Sequence, residues 1–532
     1  MASFGDFVVA RTGMMASQMA LNITGQNISN INSSGYTRRS LDQVSFLLNG
    51  SGLYRSGNTV SAGAGVMMTG ISQLRDPYLD IRFRKEMSSV GSADSLLSGM
   101  EQIQEVINDV NKNGITTQFQ DLLDKFGKLD ANNVGTKEFD ALIRSSADSL
   151  CQLLNQASKK LQGVQENYQN KYDEEVKSVN TLLENIRKIN EQIRKADVNG
   201  DQALELRDQR NLMLDELSQY MKVDITYGTE TLGTGVEIEK LTIKMVDNST
   251  GKPSYTLIDG QNGASITKND DNSLTVSPLK DRTGKEIVGA DGQPTVPNGD
   301  ITEGMGYGSL ESMRQILTGE GTYKQGNTAE TKGIPYYMKS LDSLAKTFAE
   351  AMNKINTQDA EGNSLADKGI KGAGNLFEPI GDDKNAEITA ANISITQDWR
   401  DGKVQIVTST DPKAGSTAND NISRFKDLFS KDIEYAGADG TVVYKGNFEG
   451  FYSNMQGILG ADMQTVSSMY DNYATSADTL NNSRDAVSGV DLNEEGVNMI
   501  QYQKAFAASC RMMTALDELM DKVINGMGVV GR

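Results

Sequence analysis

The sequence predicts an α+β multidomain protein, with a long helical-bundle stem built from both termini that carries inserted β-rich domains. Three observations lead there. Apolar residues recur at steps of three and four towards both ends of the chain. An unusually long run of the same rhythm occupies residues 137–197. Between the helical stretches lie short alternating runs, punctuated by turn pairs and prolines. At 532 residues the chain has room for roughly 3 to 4 domains, and enough apolar content to bury cores without disulfides or metals.

From residue 3 to residue 30, Phe4, Val8, Met15, Met19 and Ile23 trace one helical face. Residues 40–71 are rich in Gly and Ser, with Asn49-Gly50 as a turn signal. Within them Val66, Met68 and Gly70 alternate with Met67, Thr69 and Ile71, the pattern of a short extended segment. Leu96, Met100, Ile103, Ile107 and Val110 restore the helical rhythm. The long run carries Ala147, Leu150, Leu154, Ala157, Leu161, Val164 and Tyr168, then Tyr172, Val176, Val179, Leu183 and Ile186. Two successive steps of four around Tyr172 form a stutter in its heptads. Unbroken, this helix would be a rod of roughly 90 Å at about 1.5 Å per residue, a length that suits a stalk or bundle. Asn199-Gly200 ends it, and Asp201 is the expected N-cap of an antiparallel return through Leu206, Met213, Leu217 and Met221.

Composition changes at Val223. Val223, Ile225 and Tyr227 alternate, as do Leu241, Ile243 and Met245, and Asp259-Gly260, Asn262-Gly263, Asp291-Gly292 and Asn298-Gly299 supply turns. Helix returns with Tyr337, Leu341, Leu344, Phe348, Met352 and Ile355. A second mixed stretch has Val404, Ile406 and Thr408 in alternation and a short helix near Asn421–Phe429. The chain is helical again from Phe448 through Leu480, and its last helix carries Met499, Tyr502, Phe506, Cys510, Met513, Leu516, Met520, Val523 and Met527. Residues 1–75 and 488–532 are thus read as a terminal assembly region. Residues 76–222, 309–356 and 448–487 form a helical-bundle domain, 223–308 an inserted β-rich domain, and 357–447 a second mixed insert. Helices distant in sequence need partners for their apolar stripes, and each other's stripes are the simplest partners, with the β inserts projecting outward.

The formal charge of −19 argues against nucleic acid and anionic lipid as partners. No apolar run approaches the roughly 18–20 residues of a membrane helix, and the first ten residues show no secretory signal pattern. There is no histidine, which removes the commonest general base and metal ligand. Cys151 and Cys510 stand far apart at apolar helical positions and read as small core residues. Asp197, Asn199 and Asp201 have the opening spacing of a calcium loop, but Gln202 stands where the tight turn needs glycine. No catalytic, cofactor-binding or metal-ligating residue is assigned, and the chain is read as no enzyme.

One segment asks for more. Asn22, Asn27, Asn30 and Asn32 crowd the end of an apolar helix, although Asn forms helix poorly. Gly35 then supplies a tight turn, with Tyr36, Arg38 and Arg39 beyond it. Two readings fit: an elaborate local cap, or amides presented to a neighbouring chain.

The stretch Asn27-Ile28-Ser29-Asn30-Ile31-Asn32-Ser33-Ser34-Gly35-Tyr36 resembles the N-terminal signature of the bacterial flagellar rod, hook and hook-associated family. Residues 488–506, from Ser488-Gly489-Val490-Asp491 to Gln503-Lys504-Ala505-Phe506, resemble that family's closing helix. Two interior stretches narrow the likeness to its hook–filament junction members: Arg75-Asp76-Pro77-Tyr78-Leu79-Asp80 with Arg82 and Arg84, and Leu206-Arg207-Asp208-Gln209-Arg210-Asn211 running into Leu214-Asp215-Glu216-Leu217. Asn22, Thr24 and Gly25 depart from the usual pattern.

The resemblance implies a self-assembling structural protein of the flagellum, placed outside the cell. Such a protein is exported unfolded by the flagellar type III apparatus and seated between hook protein and hook-associated protein 3. It implies an assembly interface of Asn22, Asn27, Asn30, Asn32, Gly35, Tyr36, Arg38, Arg39, Met499, Tyr502, Phe506, Met513, Leu516 and Met520. It also implies a cytosolic export chaperone bound to the C-terminal amphipathic helix at Phe506, Met513, Leu516, Met520 and Val523.

Overall fold

A computed structural model of the chain describes residues 4–45, 65–111, 114–128, 136–233, 235–288, 293–295, 299–324, 331–381, 383–384, 386–413, 415, 418–437 and 440–526. The expected turns at Asn49-Gly50, Asp291-Gly292 and Asn298, and the last apolar position, Met527, lie outside these residues.

In chain order the elements begin with α1 (Phe4–Ser29), the antiparallel hairpin β1 (Arg39–Ser45) and β2 (Val66–Gln73), α2 (Pro77–Asn111) and α3 (Ile115–Gly127). The long α4 (Lys137–Val198) and its return α5 (Leu204–Tyr220) follow. Next come β3 (Val223–Thr231), β4 (Glu237–Val246), β5 (Pro253–Asp259) and β6 (Asn262–Gly263), one antiparallel sheet in that order. A three-stranded sheet of β7 (Ile266–Lys268), β8 (Leu274–Val276) and β9 (Gly299–Asp300) adjoins it. Then come α6 (Ser309–Thr318), α7 (Ile334–Thr357), the pair β10 (Phe377–Pro379) and β11 (Ile393–Ile395), α8 (Gln397–Arg400) and α9 (Asp420–Ser430). The pair β12 (Ile433–Ala436) and β13 (Val442–Gly446) precedes α10 (Phe448–Ser488) and α11 (Leu492–Gly526).

α4 is one unbroken helix, as its periodicity predicts. The Thr136 hydroxyl accepts the Phe139 amide to cap its start. Gly200, at φ +79°, turns the chain at its end, a conformation that favours glycine. The stutter marks a change of partner. The Tyr168 hydroxyl donates to the Ser95 carbonyl of α2 at 2.7 Å. One turn on, Tyr172 reaches the main chain of Asn272, between β7 and β8. At this point α4 passes from α2 to the sheet of β7 and β8.

Several expectations are corrected. The β-rich segment does not stand clear of the stem. Leu241, Ile243, Ile258, Ile266 and Val276 join Val176, Val179, Leu183 and Ile186 of α4 in one continuous core. Asparagines on the helices hold the main chain of both inserts. Asn180 exchanges two bonds of 2.8 Å with Ile266, Asn190 donates to Gly260, and Asn155 donates to Ala390 and Ile393. The Val404–Thr408 alternation forms no strand; the side chains of Asn356 and Asn421 take the main-chain groups of Gln405 and Val407 that a neighbouring strand would have taken. Asp201 is not the N-cap of α5: Ala203 holds that place at φ 47°, and Asp201 accepts the Ala203 amide in a local turn. The calcium-like spacing is consumed by arginines, Asp197 by Arg207 at 2.9 Å and Asp208 by Arg39 at 3.5 Å.

Sequence reading missed the first five turns of α2, which starts at Pro77, a residue suited to the first turn of a helix. It also missed α3. That helix matters because Phe119 stacks on Phe448 and meets Phe348 edge-on, both at 5.4 Å, tying α3, α7 and α10 together.

Candidate assembly interface

α1 and α11 pack against each other as an antiparallel pair, and α10 lies along α2. The apolar face expected for α1 is buried only in part. Val8, Met15 and Met19 are exposed, whereas Ile23, from the same expected face, is buried along with Ala10, Ala16 and Ala20. A β-carbon at Gly13 would lie 3.4 Å from the Ser509 hydroxyl, so small residues on α1 allow close approach. α11 supplies the bulk: Leu516 is buried and Tyr502, Phe506, Met513 and Met520 are half-buried. Met499 and Val523 are exposed instead. Cys510 is half-buried on the same side.

A second apolar line runs along α11, about 100° around the helix from the first. Ala505, Ala508, Met512, Ala515 and Leu519 follow at steps of three and four, all exposed, with Leu519 at 51%. Within the chain nothing covers this line among the described residues.

Asn27 and Asn30 bond within the chain, as the local reading expects. Asn27, 1% exposed, is a local clamp: its Nδ2 donates to the Arg39 carbonyl at 3.0 Å, and its Oδ1 accepts the Arg39 amide at 3.1 Å and the Tyr36 hydroxyl at 2.9 Å. Asn30 back-bonds to Gln26 and accepts from Ser33. Asn22 and Asn32 are exposed. Gly35, at φ +77°, closes the turn against Leu212 of α5.

Arg38 and Arg39 leave that turn in opposite directions, as consecutive residues of an extended strand do. Arg38 pairs with Glu494 at 2.7 Å and Glu495 at 2.8 Å, on α11. These bonds, led by the one to Glu494, raise the Arg38 pKa above its usual value. Arg39 is buried, lies over the Tyr36 ring at 5.0 Å and pairs with Glu205 of α5 at 2.5 Å. Burial raises the pKa of Tyr36, and of Asp208 despite its neighbouring arginines.

Beside this turn lies a charge network that sequence reasoning did not assign. Arg75 pairs with Asp80 at 2.5 Å, Asp80 with Arg484 at 3.0 Å, Arg484 with Asp215 at 2.7 Å, and Asp215 with Arg84 at 2.6 Å. Arg484 also lies 4.3 Å over the Phe83 ring. Burial would lower the Arg84 pKa, yet Asp215 beside it leaves the value raised. α2, α5 and α10 meet here. The signal was visible in outline, since Arg75–Arg84 and Leu206–Leu217 are the two interior stretches with family likeness, but nothing in sequence joins them.

No group of three or more acidic or cysteine side chains among the described residues could hold a metal, and no described helix is long and apolar enough to cross a membrane.

Comparison with known proteins adds three family matches. Residues 100–370 match the flagellar hook-associated protein FlgK helical domain. Residues 7–37 match the flagella basal body rod protein family, and residues 484–526 match the C-terminal family of the basal body rod FlgEFG proteins. The chain is 28% identical to flagellar hook-associated protein 1 of Bacillus subtilis, over the whole of both chains. It is 22% identical to that of Escherichia coli, over 97% of this chain and 98% of the relative. The fold resembles the flagellar hook junction protein FlgK from Burkholderia pseudomallei, with a TM-score of 0.53 and 11% identity over 77% of this chain and 100% of that one.

Proposed function

The chain belongs to the flagellar hook-associated protein FlgK family, structural components of the flagellum, and from that membership we propose that it is a non-enzymatic axial subunit joining hook to filament. One observation supports this most: the paired terminal helices leave a second helical line, Ala505 to Leu519, open to solvent. An apolar line at steps of three and four is what a further helix would cover. Val8, Met15 and Met19 of α1 offer a similar exposed line. In a tubular assembly of copies, each subunit's lines meet those of its neighbours, and the sheets face solvent. Hook protein and hook-associated protein 3 occupy the two ends.

Export fits the same helices. A single helix such as α11 is marginal in water without a partner. Before α1 docks, Phe506, Met513, Leu516 and Met520 are free for a cytosolic chaperone, with Val523 beside them, and the chain passes unfolded through the type III apparatus to the outside.

Phe506→Asp tests the reading, since Phe506 lies outside the core that joins bundle and sheets. Assembly should be lost while the β-sheet signal of the purified chain is unchanged. Loss of the sheet signal as well would place α11 in the subunit's core and defeat the proposal. Cells lacking the chain should carry hooks without filaments and shed flagellin to the medium; filaments on such cells would exclude a junction role.

A further inference from the structure

The terminal pair leaves the body by two short connections. Residues 30–38 lead from α1 into β1, and Gly489–Asp491 form an elbow between α10 and α11. An open groove of about 1220 Å³ separates this elbow from α2 and α5. On that side no packing holds the elbow, and the direction of α11 is left to its pairing with α1 and to the contacts made across the elbow itself. Asp491 accepts the Asn493 amide at 2.7 Å, which fixes where α11 starts but not where it points.

Arg38 reaches both sides of the elbow from the other connection. Its main-chain N–H donates to the Ser488 carbonyl, at the end of α10, at 2.8 Å. Its Nε donates to Glu495 at 2.8 Å, and its two terminal nitrogens take both oxygens of Glu494 at 2.7 and 3.0 Å. Glu495 is only 2% exposed, so Arg38 is the cation that offsets its burial. A planar fork can serve two carboxylates at once, where a lysine offers one point charge. On the opposite side of the strand, Arg39 is anchored to α5 through Glu205 and Asp208. The pull of α11 on Arg38 thus passes through one residue to the body.

We propose that Arg38 is a positioning residue, a latch that fixes the direction in which the C-terminal helix leaves the body. Its bearing on a tubular assembly rests on the function proposed above. The latch itself does not, and is read on the isolated full-length chain.

Hydrogen exchange resolved by segment tests it. Arg38→Ala should speed exchange across residues 485–499 roughly tenfold or more, because charge-assisted bonds are lost there. Residues 137–198 should keep their protection. Arg38→Lys, which keeps the charge but not the fork, should fall between. Glu494→Gln, which removes the carboxylate that takes both terminal nitrogens of Arg38, should quicken exchange over the same residues and not in α4. Unchanged elbow exchange in Arg38→Ala overturns the proposal, as does loosening of α4 in equal measure. Should Arg38→Ala fail to fold, Glu494→Gln decides: faster exchange confined to residues 485–499 supports the latch, and unchanged exchange there refutes it.

Discussion

Arg84 donates through Nε to Asp215 at 2.6 Å, joining α2 to α5 across 131 positions of sequence. Asp215 accepts Arg484 of α10 with its other oxygen at 2.7 Å, so one carboxylate neutralises two arginines from two helices. All three side chains are largely shielded from water. Removing the shared carboxylate leaves Arg84 buried without its carboxylate partner and Arg484 with Asp80 alone, which costs more than the net worth of either pair.

Asp215→Asn should therefore destabilise the chain by about 3 kcal/mol in denaturant unfolding. Exchange should quicken most in the last turns of α10, because Arg484 loses one of its two carboxylates while keeping Asp80. An effect below about 0.5 kcal/mol would mean the network is decorative, as many exposed ion pairs are.

Gly91→Ala should destabilise, against helix propensity. Alanine in a helix interior is ordinarily favoured over glycine by about 1 kcal/mol. Here a β-carbon would sit 2.2 Å from the Gln219 carbonyl of α5, a main-chain atom that cannot swing aside. Forcing α2 and α5 apart should cost roughly 1–3 kcal/mol. Thermal unfolding is the check, and a rise in Tm would show that the two helices do not approach so closely.

Glu175→Gln should stabilise at neutral pH and not in acid. Burial raises the Glu175 pKa, outweighing the 2.7 Å bond donated by Ser309 that favours the anion. A carboxyl whose folded pKa is raised holds its proton more tightly in the folded chain, so ionising it near neutrality opposes folding. That cost fades as pH falls through the folded pKa and is gone below the unfolded value of about 4.3. The Tm difference between variant and parent should be positive near pH 7 and shrink towards zero near pH 4. A difference independent of pH would assign the effect to packing.

How much was legible follows from distance along the chain. The bounds of α4 were readable because helical periodicity and its terminators are local, spanning four residues at a time. The two terminal helices and the Gly35 turn were readable for the same reason. The site was legible only in its types. Arginines and asparagines after an apolar helix pointed to a special turn, but whether Asn27 faced its own chain or a neighbour was not encoded in spacing. Nor was the face of α1 that meets α11. Both Val8–Met15–Met19 and Ala10–Ala16–Ala20 have helical spacing, and bulk alone suggested the former.

By itself, then, the sequence determined where helices run, where the chain turns, that the ends are helical and that the middle is β-rich. Tertiary structure decided which faces meet: small residues of α1 against the bulk of α11, helix asparagines against the main chain of the inserts, Arg38 against Glu495, and Arg84 against Asp215. The physical reason is that periodicity is set by hydrogen bonds four residues long. Close packing and the pairing of buried charge depend on residues that only the folded chain brings within 3 Å.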